Sequence, residues 1–478
     1  MEDYLEMIID LASKNGASYS DVRYQSDAYE SILLKNGMPE MTSIDARKGI
    51  SMRALVDGGL GFGATNIMTR RDLKALVGRV VRLAKASSKI IRTPISMGKA
   101  DIGKGTIEIK PRIGFDAVSN EARLDLLKEA DSAGITSAGA VGVKLPGRYL
   151  SLDVLNTEKL VMTSDGAHVH SIIPKVSVDA FLTAFEPQRG TIQRTFSLGE
   201  SSGWESVERW NLPARIEREA RSLADILIKA APMKEERCDV ILGPEVVGII
   251  SHESSGHPSE ADRILGREAA QAGETYLQKD SIGMRVGSDA VNVVDDPTIP
   301  RSFGFYLFDD EGVKARKRYL IRQGNIQEFL HNRETAGVFA TSSNASSRSV
   351  AYNREPIVRM ANTFVESGDH KFEDLLDGIE NGVYVKNFME WNIDDRRYNQ
   401  KYVGLEAYRI EKGQLKGLLR NPVMEMTTIG LWSAVDAVGK DLEFSAASCG
   451  KGDPMQAIPV WTGGPHIRLR NVRLGGIS

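Results

Sequence analysis

Hydrophobic positions at the start of the chain recur at helical spacing: Leu5, Ile8, Ile9 and Leu11 fall on one face, and Gly16 follows them. The spacing predicts an amphipathic helix over 3–14, stopped at Gly16. The period then changes. Segments 21–25, 30–35, 49–56 and 61–64 read as strands, with Asn36-Gly37 and Asp57-Gly58 between them as hairpin turns. Helical spacing returns over 71–86 and again over 120–133. Residues 140–198 alternate as antiparallel strands around a turn at Ser164-Asp165-Gly166. A charged helix over 213–229 leads into Ala231-Pro232 and a polar run, so a domain boundary is expected at about residue 232.

The second half opens with a strand over 238–242 and a helix over 244–251, and the remainder reads mostly as β. Tyr319 to Ile326, with Gly324 at the turn, is echoed by Tyr408 to Leu415 with Gly413 at the turn. Two such hairpins imply an antiparallel sheet or barrel with internal pseudo-symmetry. The expected architecture is α+β. An N-terminal domain of helices and antiparallel strands spans 1–232. A β-rich, sheet- or barrel-like C-terminal domain spans 233–478 and carries a helix ending in histidines.

Composition narrows the function more than the fold. At 478 residues the chain exceeds one ordinary core. A net charge of −3 gives no general attraction to nucleic acid or anionic lipid. Apolar runs fall short of the ~18 residues of a membrane span. The acidic start, Met1-Glu2-Asp3-Tyr4, lacks the basic and apolar regions of a signal peptide, so a cytoplasmic location is expected. Two cysteines, Cys238 and Cys449, cannot build a disulfide framework.

The chemistry concentrates in His252-Glu253-Ser254-Ser255-Gly256-His257. In the common zinc-protease helix the two histidines are four apart, about 40° around the axis; five apart they diverge by about 140° on a regular α-helix. Sharing a metal therefore requires a bent backbone. Gly256 tolerates unusual dihedrals and Pro258 disfavours α geometry at His257, so a π-bulge or a break at Gly256 is expected. Neutral imidazoles ligate, and Glu253, projecting to another side, takes a proton from water as general base. A catalytic zinc needs a third protein ligand. The candidates are Cys449, Cys238, His331, His466, Glu260 and Asp262. Cys449 lies in a small, glycine-rich stretch read as a loop, where Lys451 would favour the thiolate. Cys238 heads a hydrophobic strand and reads as core. Glu260 and Asp262 read equally as partners orienting the histidines or as helix caps.

Other signals are weaker. Gly58-Gly59-Leu60-Gly61-Phe62-Gly63 lacks the spacing and following helix of a dinucleotide loop and reads as a glycine-rich hairpin. His168 and His170 share a strand face and read as exposed strand residues. Lys314-Ala315-Arg316-Lys317-Arg318 reads as a solvated strand and gives no case for nucleic-acid binding.

His252, Glu253, Gly256, His257, Glu260 and Asp262 together resemble the HExxGHxxExD signature of the TldD/PmbA family, in its TldD-type metalloprotease branch. Asp309-Asp310-Glu311-Gly312, Arg359-Met360-Ala361-Asn362-Thr363, and the tail from Ser448-Cys449-Gly450-Lys451 to Gly475-Gly476 resemble further family blocks in the family's order. The whole second half fits, and the first half fits loosely. The chain departs from the pattern at Pro258 and at Gly452-Asp453-Pro454-Met455. The resemblance implies a zinc-dependent peptidase with metal ligands at His252, His257 and Cys449, a base at Glu253, and one zinc per catalytic chain. It further implies a dimer, either of identical chains or with a PmbA-type partner lacking the histidine set. It implies a channel that takes unfolded peptide as an added strand, for trimming leaders or degrading small unstable proteins. The rival reading is a non-catalytic assembly or regulatory subunit of the same kind.

Overall fold

A computed structural model describes residues 1–268 and 273–476. The first helix, α1 (Glu2–Lys14), buries Leu5 and Ile8 completely. The strand pieces 21–25 and 30–35 are one strand, β1 (Tyr19–Lys35), paired along its length with β2 (Met38–Val56). Residues 26–29, which separated the two expected strands, are not a loop. Gln25 and Asp27 are buried, and Gln25 donates to Asp27 and to the Val350 carbonyl of the second half. Polarity here marks an internal polar contact between the halves of the chain.

Both hairpin turns form. Asn36 and Gly37 have φ of 50° and 79°, and Asp57 and Gly58 have 47° and 77°, the paired positive φ of a two-residue type I′ turn. The second turn leads into β3 (Gly59–Thr65), against which α2 (Arg70–Ser87) packs. The glycine alternation in β3 exists for that contact: a Cβ on Gly61 would lie 2.3 Å from the Val80 carbonyl, and one on Gly59 2.3 Å from that of Ala84. Next come β4 (Lys104–Glu108), α3 (Asn120–Gly139), β5 (Lys144–Thr163), β6 (His168–Glu186), β7 (Gly190–Glu200) and α4 (Leu212–Lys229). Thr69 and Ser119 cap α2 and α3, each accepting from the backbone N–H three residues on. Among the described residues these strands make a seven-stranded sheet in the order β3-β2-β1-β5-β6-β4, with β7 also on β6. Helices α3 and α4 cover β5 and β6 through two apolar clusters.

The second half holds two larger sheets. One, of ten strands among the described residues, contains β8 (Glu236–Leu242) between strands Asn381–Val385 and Ile467–Gly476. The other has six strands, including β9 (Asn362–Val365), β11 (Gln456–Gly464) and, at its edge, β10 (Glu443–Lys451). Helix α5 (Pro244–Ser251) follows β8 and buries Val246, Val247 and Ile250 in the main core. The two echoing hairpins form with matching turns: φ is 48° and 72° at both Gln323-Gly324 and Lys412-Gly413. They belong to different sheets, so the echo is one of turn chemistry and not of a single symmetric barrel. The fold is α+β.

Buried ion pairs lock the first sheet to the second half. Arg53 meets Asp21 at 2.8 Å and Glu311 at 2.7 Å, while Asp310 takes Arg23 at 3.2 Å and Lys159 at 2.8 Å. Charges this deep require partners, which Asp310 and Glu311 supply together with Asp21, while Asp309 accepts from the backbone N–H groups of Glu311, Val313 and Ser347. The basic run at 314–318 is not uniformly solvated: Arg318 is fully buried against Asp295, with carbonyls of Asn344 and Ala345 taking its other donors. Among the described residues no helix is long and apolar enough to cross a membrane.

Candidate metal centre

Gly243 and Pro244 start α5, and its last α-helical residue is Ser251. The backbone then widens into a π turn, His252–Gly256, closed by the His257 N–H donating to the His252 carbonyl. A single 3₁₀ turn, His257–Ser259, follows. In a π turn, residues five apart are one turn apart, so His252 and His257 stack on one side. Their ring centroids lie 4.8 Å apart. The expected bend is present, but not for the expected reasons. Gly256 has ordinary helical dihedrals, φ −63° and ψ −65°, and His257 remains αR before Pro258. Pro258 stands in the first turn of its short helix, where a missing N–H costs nothing. Gly256 is needed for space: a Cβ there would lie 2.0 Å from Met360 Sδ.

The third donor comes from a distant strand. Cys449 lies in β10 and not in a loop, because Glu443–Lys451 pairs along its length with β11. This brings Cys449 Sγ to 3.5 Å from His257 Nε2, across 192 residues of sequence. Ligand atoms of His252, His257 and Cys449 all lie within 4.8 Å of one another, and all three residues are buried. No other candidate joins them. Cys238 is in the main core, its thiol pushed up to about 12 by burial. His331 packs against Phe329 and Phe339 and hydrogen-bonds Thr335. His466 lies between Asp441 and Tyr384. His168 and His170 are partly exposed, each facing a glutamate, Glu2 and Glu158.

Surrounding charges prepare the donors. Glu260 Oε2 accepts from His257 Nδ1 at 2.9 Å, and a carboxylate can only accept, so Nε2 presents its lone pair toward Cys449. Burial opposes ionisation of Glu260, yet Lys451, His257 and Arg263 hold it well below the usual carboxylate range. Asp262 does not reach the histidines; its Oδ1 accepts from Lys451 at 2.7 Å. Of the two alternatives open for these acids, orienting a histidine fits Glu260, whereas Asp262 anchors Lys451. Lys451 is thus spent on carboxylates. Burial raises the Cys449 thiol, but protonated His257 and Arg359 overcome it and bring it down to about 7, and with His257 neutral the Arg359 guanidinium is the charge that favours the thiolate. Burial also pushes His252 and His257 below the ordinary imidazole range, against the pull of neighbouring acids and of Cys449 on His257.

Neutral imidazoles and an acidified thiol are the ligating forms of these side chains. His252 Nδ1 is buried with no hydrogen-bond partner among the described residues, a nitrogen left for something else. The residues therefore fit a metal ion, and a two-nitrogen, one-sulfur set suits zinc.

Glu253 is buried beside His252 and paired with Arg397. Arg397, at φ 60°, lies between strands Phe388–Ile393 and Asn399–Gly404. Gln400 from the second strand accepts from Ser254, so this hairpin lies against the π turn. Nothing in the sequence marked Arg397 or Gln400, which reach the site from about 145 residues away. Arg359 stood inside a noticed block without a role. It is fully buried, donates to the Gln456 carbonyl at 2.7 Å and to the Cys449 carbonyl, and so fixes the strand that presents the thiol.

A buried two-histidine, one-cysteine donor set with a glutamate beside it is the make-up of a zinc-hydrolase site. The chain belongs to the PmbA/TldA metallopeptidase family. The family's domain 1 matches residues 20–84, its central domain 113–228 and its C-terminal domain 235–476. A metalloprotease of Methanocaldococcus jannaschii is 30% identical over 450 residues, 94% of this chain and 95% of its own. A zinc metalloprotease TldD homologue of Saccharolobus solfataricus is 26% identical, covering 97% of this chain and 98% of its own. Among solved structures, a protein described as a putative modulator of a DNA gyrase, from Thermotoga maritima, superposes with a TM-score of 0.77 over 99% of both chains at 17% identity. TldE from Thermococcus kodakarensis does so with 0.72 over 99% of this chain and all of its own, at 18% identity. At these identities the structural likeness is one of fold.

Proposed function

We propose that the chain is a zinc-dependent peptidase acting on unfolded or extended peptides, with one zinc held by His252, His257 and Cys449. The observation that carries this reading is the buried three-donor cluster built around a π turn that also presents Glu253. When bound, zinc supplies Lewis acidity, bringing the pKa of water toward ~7 and polarising the scissile carbonyl. Glu253 accepts the proton of the attacking water and passes it to the leaving amine. Arg397 holds Glu253 Oε2 and so fixes the carboxylate beside His252. Glu260 orients the His257 ring and Arg359 the strand of Cys449.

The edge position of β10 supports extended substrates. An edge strand has free backbone donors and acceptors on one side, and a peptide added there gains main-chain hydrogen bonds without reading side chains. Such a substrate would pass beside Cys449. In this reading the protein trims leader peptides or degrades small unstable proteins, as a dimer of identical chains or with a PmbA-type partner. Two free cysteines suit the reducing cytoplasm.

Glu253→Gln tests the reading. It is expected to leave zinc content near one per chain and to abolish cleavage of an unfolded fluorogenic peptide. An unchanged cleavage rate removes Glu253 as the base, and a wild-type chain without zinc removes the metal reading.

A further inference from the structure

A cavity of about 340 Å³ lies between the first sheet and the second half. One wall is formed by side chains of β1, β5 and β6; the other by segment 303–310 and by the β10–β11 pair. His252, Glu253, His257 and Cys449 do not line it, although Ser448, next to Cys449, does. The volume falls within the ~300–1,000 Å³ typical of small-ligand sites.

Two cations in this wall form no ion pair with any described residue, although Asp310 and Asp295 act on Arg348 from farther off and Asp27, Asp153, Asp179, Asp309 and Asp310 share the lining. Lys175 Nζ donates to Ser201 Oγ at 2.7 Å and to the Phe303 carbonyl at 3.0 Å. Arg348 donates to the Met360 carbonyl at 2.6 Å and the Pro459 carbonyl at 2.9 Å, and lies over the Tyr306 ring. Among the described residues neither forms an ion pair. Other deep cations do: Lys159, Arg53, Arg194 and Arg318 each meet a carboxylate. Arg359, a further exception, lies beside the Cys449 thiol. The charges acting on Lys175 are also of the wrong sign for it. Burial, then Arg348 and Lys159, push its ammonium well below the ordinary range. An anion in the cavity would relieve this.

Nearby charge sets the class of anion. Lys175 has spent two of its three N–H groups and Arg348 two of its five. Four N–H groups remain, enough for either anion, but Asp27, Asp153, Asp179, Asp309 and Asp310 in the same lining repel a phosphate dianion more than a singly charged carboxylate. Phe303, Tyr306 and Ile173 in the same lining would face an adjoining uncharged chain.

We propose that this cavity binds a carboxylate, the free C-terminus of a short peptide, between Lys175 Nζ and the Arg348 guanidinium. That the ligand is a peptide rests on the peptidase reading; that it is a carboxylate does not. The site lies next to the strand that carries Cys449, so it would receive one end of a peptide engaged along β10.

Calorimetric binding of tetra-alanine to the full-length, zinc-loaded Glu253→Gln protein tests this, comparing the free acid with the C-terminal amide. The acid is expected to bind at least ten-fold more tightly, and Lys175→Met or Arg348→Met to remove that preference. A ratio near one, or a ratio unchanged in both variants, overturns the proposal. Should the variants fail to fold, a crystal structure with the acid decides: its carboxylate must contact Lys175 or Arg348, and any other location overturns the site. Cleavage by the protein with Glu253 intact is measured separately. Its failure beside acid-selective binding sinks the peptidase reading and leaves the carboxylate site standing.

Discussion

Replacing Glu260 with glutamine removes one charge and almost no volume, so it isolates what that charge does. Glu260 Oε2 is the meeting point of His257 Nδ1 at 2.9 Å, Arg263 Nη2 at 3.3 Å and Lys451 Nζ at 3.3 Å, and the carboxylate is fully buried. Breaking one side of a buried ion pair costs about 3–5 kcal/mol. Lys451 retains Asp262 at 2.7 Å, which places the expected loss at the lower end, about 3 kcal/mol. A second effect acts on the metal centre. Neutral glutamine still accepts from Nδ1–H but no longer raises the basicity of Nε2, and loss of such a partner typically costs about 10–100-fold in metal affinity. Urea unfolding of the metal-stripped protein reads the first effect, and zinc competition against a chromophoric chelator at pH 7 reads the second. Zinc affinity within two-fold of wild type in a folded variant would refute the argument that Glu260 prepares His257.

Three further outcomes follow from the same structure. Gly256→Ala adds a Cβ 2.0 Å from Met360 Sδ without a dihedral penalty; overpacking of this kind costs about 1–3 kcal/mol, so a lower Tm and reduced zinc content are expected, and wild-type values for both would show that Met360 yields freely. Arg318→Met strands the buried Asp295 carboxylate and should cost about 3–5 kcal/mol in urea unfolding; a loss under 1 kcal/mol would contradict that pairing. Burial depresses His331 to about 4, below its unfolded value of about 6.5, so the unfolded chain binds more protons between those limits and stability falls as pH drops through the window, by at most about 3 kcal/mol. His331→Gln should flatten that part of the pH–stability curve, and an unchanged slope would place the titration elsewhere.

Legibility in the sequence followed range. Helices α1 and α2, the type I′ turns at Asn36-Gly37 and Asp57-Gly58, and the helix ahead of His252 rest on signals within a few residues of each other, and all are present. The need for a departure from α geometry, by a π-bulge or a break at Gly256, was also visible, because two histidines five apart diverge on a regular α-helix. Its supports were misread. Gly256 is small to make room for Met360, a residue 104 positions later, and no dihedral argument could have found that contact. The stretch around Cys449 looked like a loop because it is rich in Ala, Ser and Gly. Pairing with β11 makes it a strand, a case of tertiary context overriding local preference. The break expected within β1 failed for a related reason: polar residues facing another buried polar wall look, in one dimension, like residues facing water.

By itself the sequence determined the elements with local periodicity, the α+β class, and the donor types from which a metal centre is drawn. It also determined that His252 and His257 must leave α-helical geometry to cooperate, since that follows from residue spacing alone. Only the tertiary structure decided which of six candidate donors joined them, because strand register, not sequence distance, brings Cys449 Sγ to within 3.5 Å of His257. It likewise decided the sense of each charge. Lys451 neutralises acids, Arg359 acidifies the thiol, Arg397 holds Glu253, and Lys175 and Arg348 have no acid partner among the described residues. Electrostatic roles depend on distance and burial, and neither exists until the chain has folded.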